Sequence, residues 1–258
     1  VPSSEAGGEP LTDDALRGRT LAVDLSIWIV EARSSTALAR QHAHPHLFLA
    51  LSRALFLMRR GVELVFVLEG DRSPLTRVPA RVRCPASQFE QWTSECRQVL
   101  EALGLPCVRA DAEAEATCAA MSSLALVDGV ITSDADAFLY GARAVIKGFS
   151  ISEMKRGAAR IFRAGLLHHA FAADTPDLVH RRLIAFALLV GSDLGVGVHG
   201  LGAAKALRFL RCVPSSEAGG EPLTDDALRG RTLAVDLSIW IVEARSSTAL
   251  ARQHAHPH

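Results

Sequence analysis

The sequence predicts an α/β fold built on a mostly parallel central sheet flanked by helices. Two observations carry this. Short apolar runs alternate with stretches of helical periodicity, beginning TLAVDLSIW (20–28), LFLALSRALFLMRR (47–60) and VELVFVLEG (62–70). Buried parallel strands read as near-continuous apolar runs, and helices must cross between them. Acidic residues also recur where the runs end, and that carboxyl edge is where open parallel sheets bind ligands.

In chain order, TLAVDLSIW is expected to be a buried strand leading into a helix, with Trp28 in the core rather than a base-stacking platform. Residues 47–60 form a helix; LFLALSRALFLM within it is interrupted by Arg53 and too short to span a bilayer. Residues 71–87, with three prolines and four arginines, read as an irregular arch. FEQWTSECRQVLEALG (89–104) is a helix stopped by Gly104. Then come strand PCVRA, helix AEAEATCAAMSSLAL (112–126), strand DGVIT, strand AVIKGF (144–149), and helices at about 160–170 and 176–190. HGLGAAKALRFLR (199–211) is a glycine turn opening a helix.

With 258 residues, 49% of them hydrophobic, the chain can build one large domain or two small ones. The zero net charge argues weakly against a strongly basic nucleic-acid binder, because an acidic metal site can cancel a basic face and distribution matters more than the total. Five cysteines without a C-x-x-C pair favour neither a disulfide framework nor a zinc site, and point to a reducing compartment. The polar, acidic first residues carry no signal-peptide pattern, so a soluble intracellular protein is expected.

Residues 1–46 return unchanged as residues 213–258. A solenoid repeat would be shorter and would recur several times. Each copy carries TLAVDLSIW, at 20–28 and 232–240, and one strand slot admits one copy. The first copy runs straight into Leu47 and is the expected occupant. The second could complete a circularly permuted domain or pair with another molecule.

Asp24 ends AVD, Glu69 ends VFVLE, and Asp134 and Asp136 follow VITS. An Asp-x-Asp at a strand end is often only a turn or cap. On an extended segment, however, both side chains point the same way and can face one ion. Glu113 and Glu115 begin the helix after CVRA; on a regular helix they diverge by about 200°, so they share a site only if the helix end borders it. Two like charges about 4 Å apart cost ~1 kcal/mol in water and ~4 kcal/mol at an effective dielectric of 20, so such a cluster calls for cations or protons. All-oxygen donors select hard ions such as Mg²⁺ or Mn²⁺.

Glycines 200 and 202 precede a helix, where backbone amides can approach an anion, and Lys205 adds positive charge one turn in; a plain glycine turn between packed helices is the alternative. Arg72, Arg77, Arg81 and Arg83, and then Arg143, Lys147, Lys155, Arg156, Arg160 and Arg163, are either solvated faces or tracks for a phosphate backbone. The His-Ala-His-Pro-His segments, with histidines two apart, could catch stray metal, but they are expected to be polar loops.

Taken in order, TLAVDLSIW, ELVFVLEG, AEAEATCA, ITSDADAFLYGA and GSDLGVGVHGLGAAKAL resemble the nuclease core of the XPG family of structure-specific 5′ nucleases, over roughly Leu16 to Arg211. LSIWIVEA, the Glu of VFVLEG and the short arch are most similar to the GEN-type Holliday junction resolvases, relatives of the flap endonucleases. The resemblance implies a PIN-like nuclease core (1–190), the start of a helix-two-turn-helix DNA-binding segment (191–212) and a surplus repeat (213–258). It implies two divalent ions, Mg²⁺ or Mn²⁺, on Asp24, Glu69, Glu113, Glu115, Asp134, Asp136 and Asp193. Arg83 falls where the family has a basic residue near the scissile phosphate. Arg77, Arg81, Gly200, Gly202 and Lys205 would join it in holding DNA, with K⁺ at the glycine turn. The implied activity is cleavage of branched DNA in repair or recombination in the nucleus, with two protomers pairing on a four-way junction. A nicked flap substrate, a non-catalytic DNA-binding relative and a small-ester phosphatase are the alternatives. Four departures are evident: the helix expected before the first strand is absent from VPSSEAGGEP, Thr76 stands where a lysine is expected, Pro79 interrupts the arch, and after Arg211 the chain restarts its own N-terminus where the family continues through more helices.

Overall fold

The computed structural model describes residues 8–70, 85–191 and 196–212. Arg77, Arg81, Arg83, Asp193 and the repeat 213–258 lie outside the described residues. The chain divides into two compact units, Val1–Ala164 and Gly165–His258.

The first unit opens with β1 (Glu9–Pro10), α1 (Asp13–Leu16), β2 (Thr20–Asp24), α2 (Leu25–Ser34), α3 (Thr36–Gln41) and α4 (Pro45–Met58). It continues with β3 (Glu63–Leu68), α5 (Ala86–Ala102), β4 (Cys107–Arg109), α6 (Ala114–Ser123) and β5 (Gly129–Thr132). A 3₁₀ turn, Asp136–Phe138, then leads to β6 (Ala144–Lys147), α7 (Ile151–Lys155) and β7 (Arg160–Arg163). The seven strands form one sheet in the order β1-β7-β6-β5-β2-β3-β4. β6, β5, β2, β3 and β4 are parallel neighbours, whereas β7 and β1 add antiparallel at one edge.

Alternation along the strands makes three layers. Leu21 and Val23 of β2, with Leu64 and Phe66 of β3, face a core shared with Trp28 of α2, Leu57 of α4 and Leu100 of α5. Ala22, Val67, Val130 and Val145 face the opposite side and pack with Ala114, Cys118 and Ala119 of α6. Trp28 is buried, edge-on to Phe66 with ring centroids 5.7 Å apart, so its expected core role holds.

Four expectations are corrected. The strand at TLAVDLSIW stops at Asp24, whose carboxylate caps α2 by accepting from the Ser26 amide at 3.0 Å, so the helix starts at Leu25. A helix does precede β2: α1 is one turn, held by Thr12 Oγ1, which accepts from the Ala15 amide at 3.2 Å. Residues 160–163 are a strand rather than helix, because Val145 and Ile146 pair with Phe162 and Ile161. The segment His42–His46 is not a polar loop throughout, since His46 sits in the first turn of α4 and is buried.

Arg53, which interrupts the apolar run of α4, is only 3% exposed. Its two terminal nitrogens donate to the two oxygens of Glu31 at 2.8 and 2.6 Å, so the guanidinium is neutralised where it is buried. Glu31→Ala is expected to lower stability by about 2–3 kcal/mol, below the cost of breaking a fully buried pair because Glu31 itself is half exposed. Urea unfolding at neutral pH checks this; a change below about 0.5 kcal/mol would contradict it.

The described part of the second unit contains α8 (Leu167–Phe171), α9 (Pro176–Val190) and α10 (Ala203–Cys212) around Phe171, Val179, Ala185, Leu189, Ala206 and Leu210. Gly197 lies at φ +72°, and a side chain there would overlap the backbone of Val190 and Gly191. This close approach fixes the glycine turn against the end of α9, where the Val198 amide donates to the Leu189 carbonyl at 2.8 Å. No described helix is long and apolar enough to cross a membrane. The four described cysteines are free thiols.

Candidate active site

Because β2, β3, β4 and β5 are parallel, their carboxyl ends share one edge of the sheet. The chain runs outward from β2 to β3 and β4, then returns through α6 to β5 on the other side of β2. The order therefore reverses between β2 and β5, the place where open α/β sheets leave a crevice. Asp24 ends β2, Glu69 follows β3, Glu113 and Glu115 open α6, and Asp134 and Asp136 follow β5.

Local geometry holds each acid. Glu69 accepts from the Ala114 amide at 3.2 Å, tying the end of β3 to the start of α6. Gly70 permits this: its amide donates to the Ala112 carbonyl at 2.7 Å, and a Cβ there would overlap the Ala110 carbonyl oxygen. Thr132 Oγ1 accepts from the Asp134 amide at 3.2 Å and lies 3.4 Å from Glu115 Oε1, to which it donates. Asp134 Oδ1 in turn accepts from the Asp136 amide at 3.0 Å, which starts the 3₁₀ turn.

The electrostatics show which acids act on one another. Burial, then the charge of Glu69, raises the Asp24 pKa to about 7. Burial, then Asp134, Asp24 and Asp136, raises that of Glu115 to about 8. Asp24, Glu69, Glu115, Asp134 and Asp136 thus share one field. Glu113, the residue before α6, instead accepts a hydrogen bond from the Tyr140 hydroxyl at 2.8 Å. Among the described residues, no three of these carboxylates bring oxygens all within 4.8 Å of one another, so they frame a space instead of meeting at one point. Below them Cys118 is buried, and burial together with Asp24, Glu115 and Glu69 pushes its thiol pKa well up, so it stays neutral.

An all-carboxylate donor set that raises its own pKa values through burial and mutual repulsion fits a hard divalent cation. Sequence reasoning missed Tyr140 and Thr132. Thr132 had a usable signal, a hydroxyl two residues before the Asp-x-Asp, whereas the Tyr140–Glu113 contact spans 27 residues and has no local signature.

Of the basic candidates, Arg163 pairs with Glu9 at 2.9 Å and Arg160 donates to the Gly157 carbonyl at 2.9 Å. In the second unit Lys205 is exposed, its Nζ 3.5 Å from the Gly200 carbonyl. Gly200 lies at φ +78°, and a Cβ at Gly200 or Gly202 would meet open space.

The XPG N-terminal domain matches residues 7–88 and the XPG I-region matches residues 104–193, together more than half of the chain. The chain belongs to the XPG family. It is 37% identical over 222 residues to "Flap endonuclease GEN-like 1" of Arabidopsis thaliana, covering 77% of this chain and 35% of that protein. Among solved structures it is similar to human GEN1 in complex with Holliday junction DNA, at a TM-score of 0.65 and 30% identity, covering 79% of this chain and 52% of that one. The catalytic core of Rad2 in complex with DNA substrate superposes at a TM-score of 0.63 with 27% identity, over 79% of this chain and 64% of that one. The chain therefore spans about a third of the length of its Arabidopsis relative and about half of the GEN1 chain.

Proposed function

We propose that the chain is the catalytic part of a metal-dependent endonuclease that cuts branched DNA, a four-way junction or a 5′ flap, in nuclear repair or recombination. The observation that carries this reading is the gathering of Asp24, Glu69, Glu115, Asp134 and Asp136 at the point where strand order reverses. Glu113 stands at the same helix start, and Asp193 would complete the set. Two Mg²⁺ ions on these seven residues, with Mn²⁺ as a substitute, would activate water for attack on phosphorus and offset charge on the leaving oxygen.

The chain's own residues set the geometry of that step. Thr132 orients Glu115 and the Asp134 backbone together, and Tyr140 fixes Glu113. Burial of Asp24 keeps water from competing at the floor of the site. Water adds to phosphorus and the bond to the 3′ oxygen breaks, leaving a 5′-phosphate. Arg77, Arg81 and Arg83 would contact the phosphates, and the turn at Gly200 and Gly202 with Lys205 would hold the duplex backbone, with K⁺ as its counter-ion. Two protomers would cut a four-way junction symmetrically.

The test is Mg²⁺-dependent cleavage of end-labelled DNA, comparing a four-way junction, a nicked 5′ flap and plain duplex, with Asp134→Ala as control. Branch-selective cutting lost in the variant is expected. Branch binding without cutting by a folded sample would instead favour a non-catalytic relative. Lys205→Ala is expected to weaken binding on every branch alike and to flatten its log–log salt dependence by about one unit; an unchanged slope would remove Lys205 from the interface.

A further inference from the structure

We propose a second metal site, for Zn²⁺, formed by His44, His46 and Glu95 and separate in residues and chemistry from the carboxylate cluster. Each of the three offers one ligand atom, and these atoms all lie within 4.8 Å of one another. His46 Nε2 is 2.8 Å from Glu95 Oε2, and His44 Nδ1 is 3.9 Å from the same oxygen. His44 holds a non-helical conformation just before Pro45, the first residue of α4, and His46 lies in its first turn. The two imidazoles stand 5.9 Å apart at 70°. Glu95 comes from α5, so the site joins two helices remote in sequence.

Three features separate this group from a plain surface cluster. The other Glu95 oxygen accepts from the Gln91 side-chain amide at 2.9 Å, which orients the carboxylate as an outer-shell partner orients a ligand. His46 is 1% exposed, and its Nδ1 is buried without a hydrogen-bond partner. A cation on Nε2 would replace the present contact with Glu95 and move the ring proton to Nδ1, where no existing hydrogen bond has to be given up. The third histidine of the segment, His42, is occupied elsewhere, stacked on Phe48 with centroids 3.7 Å apart.

Two imidazoles and one carboxylate with an open side toward solvent suit a four-coordinate Zn²⁺ completed by water. The single carboxylate, and the Arg33 guanidinium lying on the neighbouring Trp92 ring at 3.9 Å, disfavour an ion held mainly by charge. Mg²⁺, which prefers oxygen donors, therefore fits this donor set less well than Zn²⁺ does. Occupancy would clamp the start of α4 to the middle of α5, the helix that directly follows the arginine-rich segment in sequence.

Co²⁺ serves as the spectroscopic probe, titrated into the full chain under millimolar Mg²⁺ to occupy the carboxylates. One saturable Co²⁺ with tetrahedral d–d absorption, displaced by Zn²⁺, is expected. Glu95→Gln, which retains an acceptor for His46, and the exposed-residue variant His44→Ala should each weaken it by roughly tenfold or more. The combined variant His254→Ala, His256→Ala and His258→Ala, which removes the duplicate histidines, should leave it unchanged. The proposal is overturned by the absence of saturable binding, by binding that both site variants retain, or by binding that disappears with the duplicate histidines.

Discussion

Asp24→Asn is expected to raise the melting temperature of the metal-free protein at pH 8 and, if the proposed function holds, to cripple cleavage at the same time. Asparagine is nearly isosteric and keeps an oxygen to accept from the Ser26 amide, so the cap on α2 survives. What disappears is a buried negative charge. Its pKa stands at about 7 against an ordinary 3.8, about three units, and at 1.36 kcal/mol per unit this is a penalty of roughly 4 kcal/mol when the group ionises. Even half of that moves the midpoint of a unit this size by roughly 5 °C. Cleavage should fall by roughly 10²–10³-fold or more, as when one preorganised electrostatic group is removed from an active site. Asp236→Asn, the same position in the duplicate, should change neither quantity. Thermal melts in chelator and single-turnover cleavage check both halves; a variant that cuts at the wild-type rate, or melts earlier, removes Asp24 from the site.

Stability in chelator should fall as pH rises from 6.5 to 8.5. Asp24 and Glu115 have folded pKa values of about 7 and about 8, above their ordinary 3.8 and 4.5. Between those limits the folded state holds protons that the unfolded chain releases, so each step upward in pH favours unfolding. The penalty is absent below about pH 4 and complete above about pH 8. Buried His46 acts the other way, because burial pushes its pKa below 6.5 and the unfolded chain takes up its proton first. That contribution is confined below pH 6.5, which sets the lower end of the window. Cys96 and Cys107, raised to about 12 and about 11, act only above pH 9. The contributions of Asp24 and Glu115 do not simply add, since the charge of Asp24 is itself one cause of the Glu115 shift. Millimolar Mg²⁺ should flatten the slope, because a cation supplies what the protons supplied. A midpoint that is level or rising with pH in chelator would contradict the shared field.

The acids were legible in the sequence where a strand end fixed their place. Asp24, Glu69, Asp134 and Asp136 each terminate or follow an apolar run, and parallel pairing then forces them to one edge. Glu113 and Glu115 were not separable, because whether the cap residue or the first-turn residue looks inward depends on where Tyr140 and Thr132 arrive from. Arg-Ile-Phe-Arg at 160–163 becomes a strand because Ala144–Lys147 on one side and Glu9–Pro10 on the other offer partners. The burial of His46 likewise waits on Glu95, 49 residues away, and that of Arg53 on Glu31.

β2 is hydrogen-bonded on both sides, to β3 and to β5. A saturated strand has no edge left to offer, so an identical TLAVD segment can enter only by eviction. Incoming and outgoing residues would make the same strand contacts, yet the exchange must break two ladders before either reforms. Occupancy then becomes a matter of history, settled by order of arrival. On a chain made from its amino end, Thr20–Asp24 leaves the ribosome long before residues 232–236, and it can be held in place by a barrier rather than by a preference.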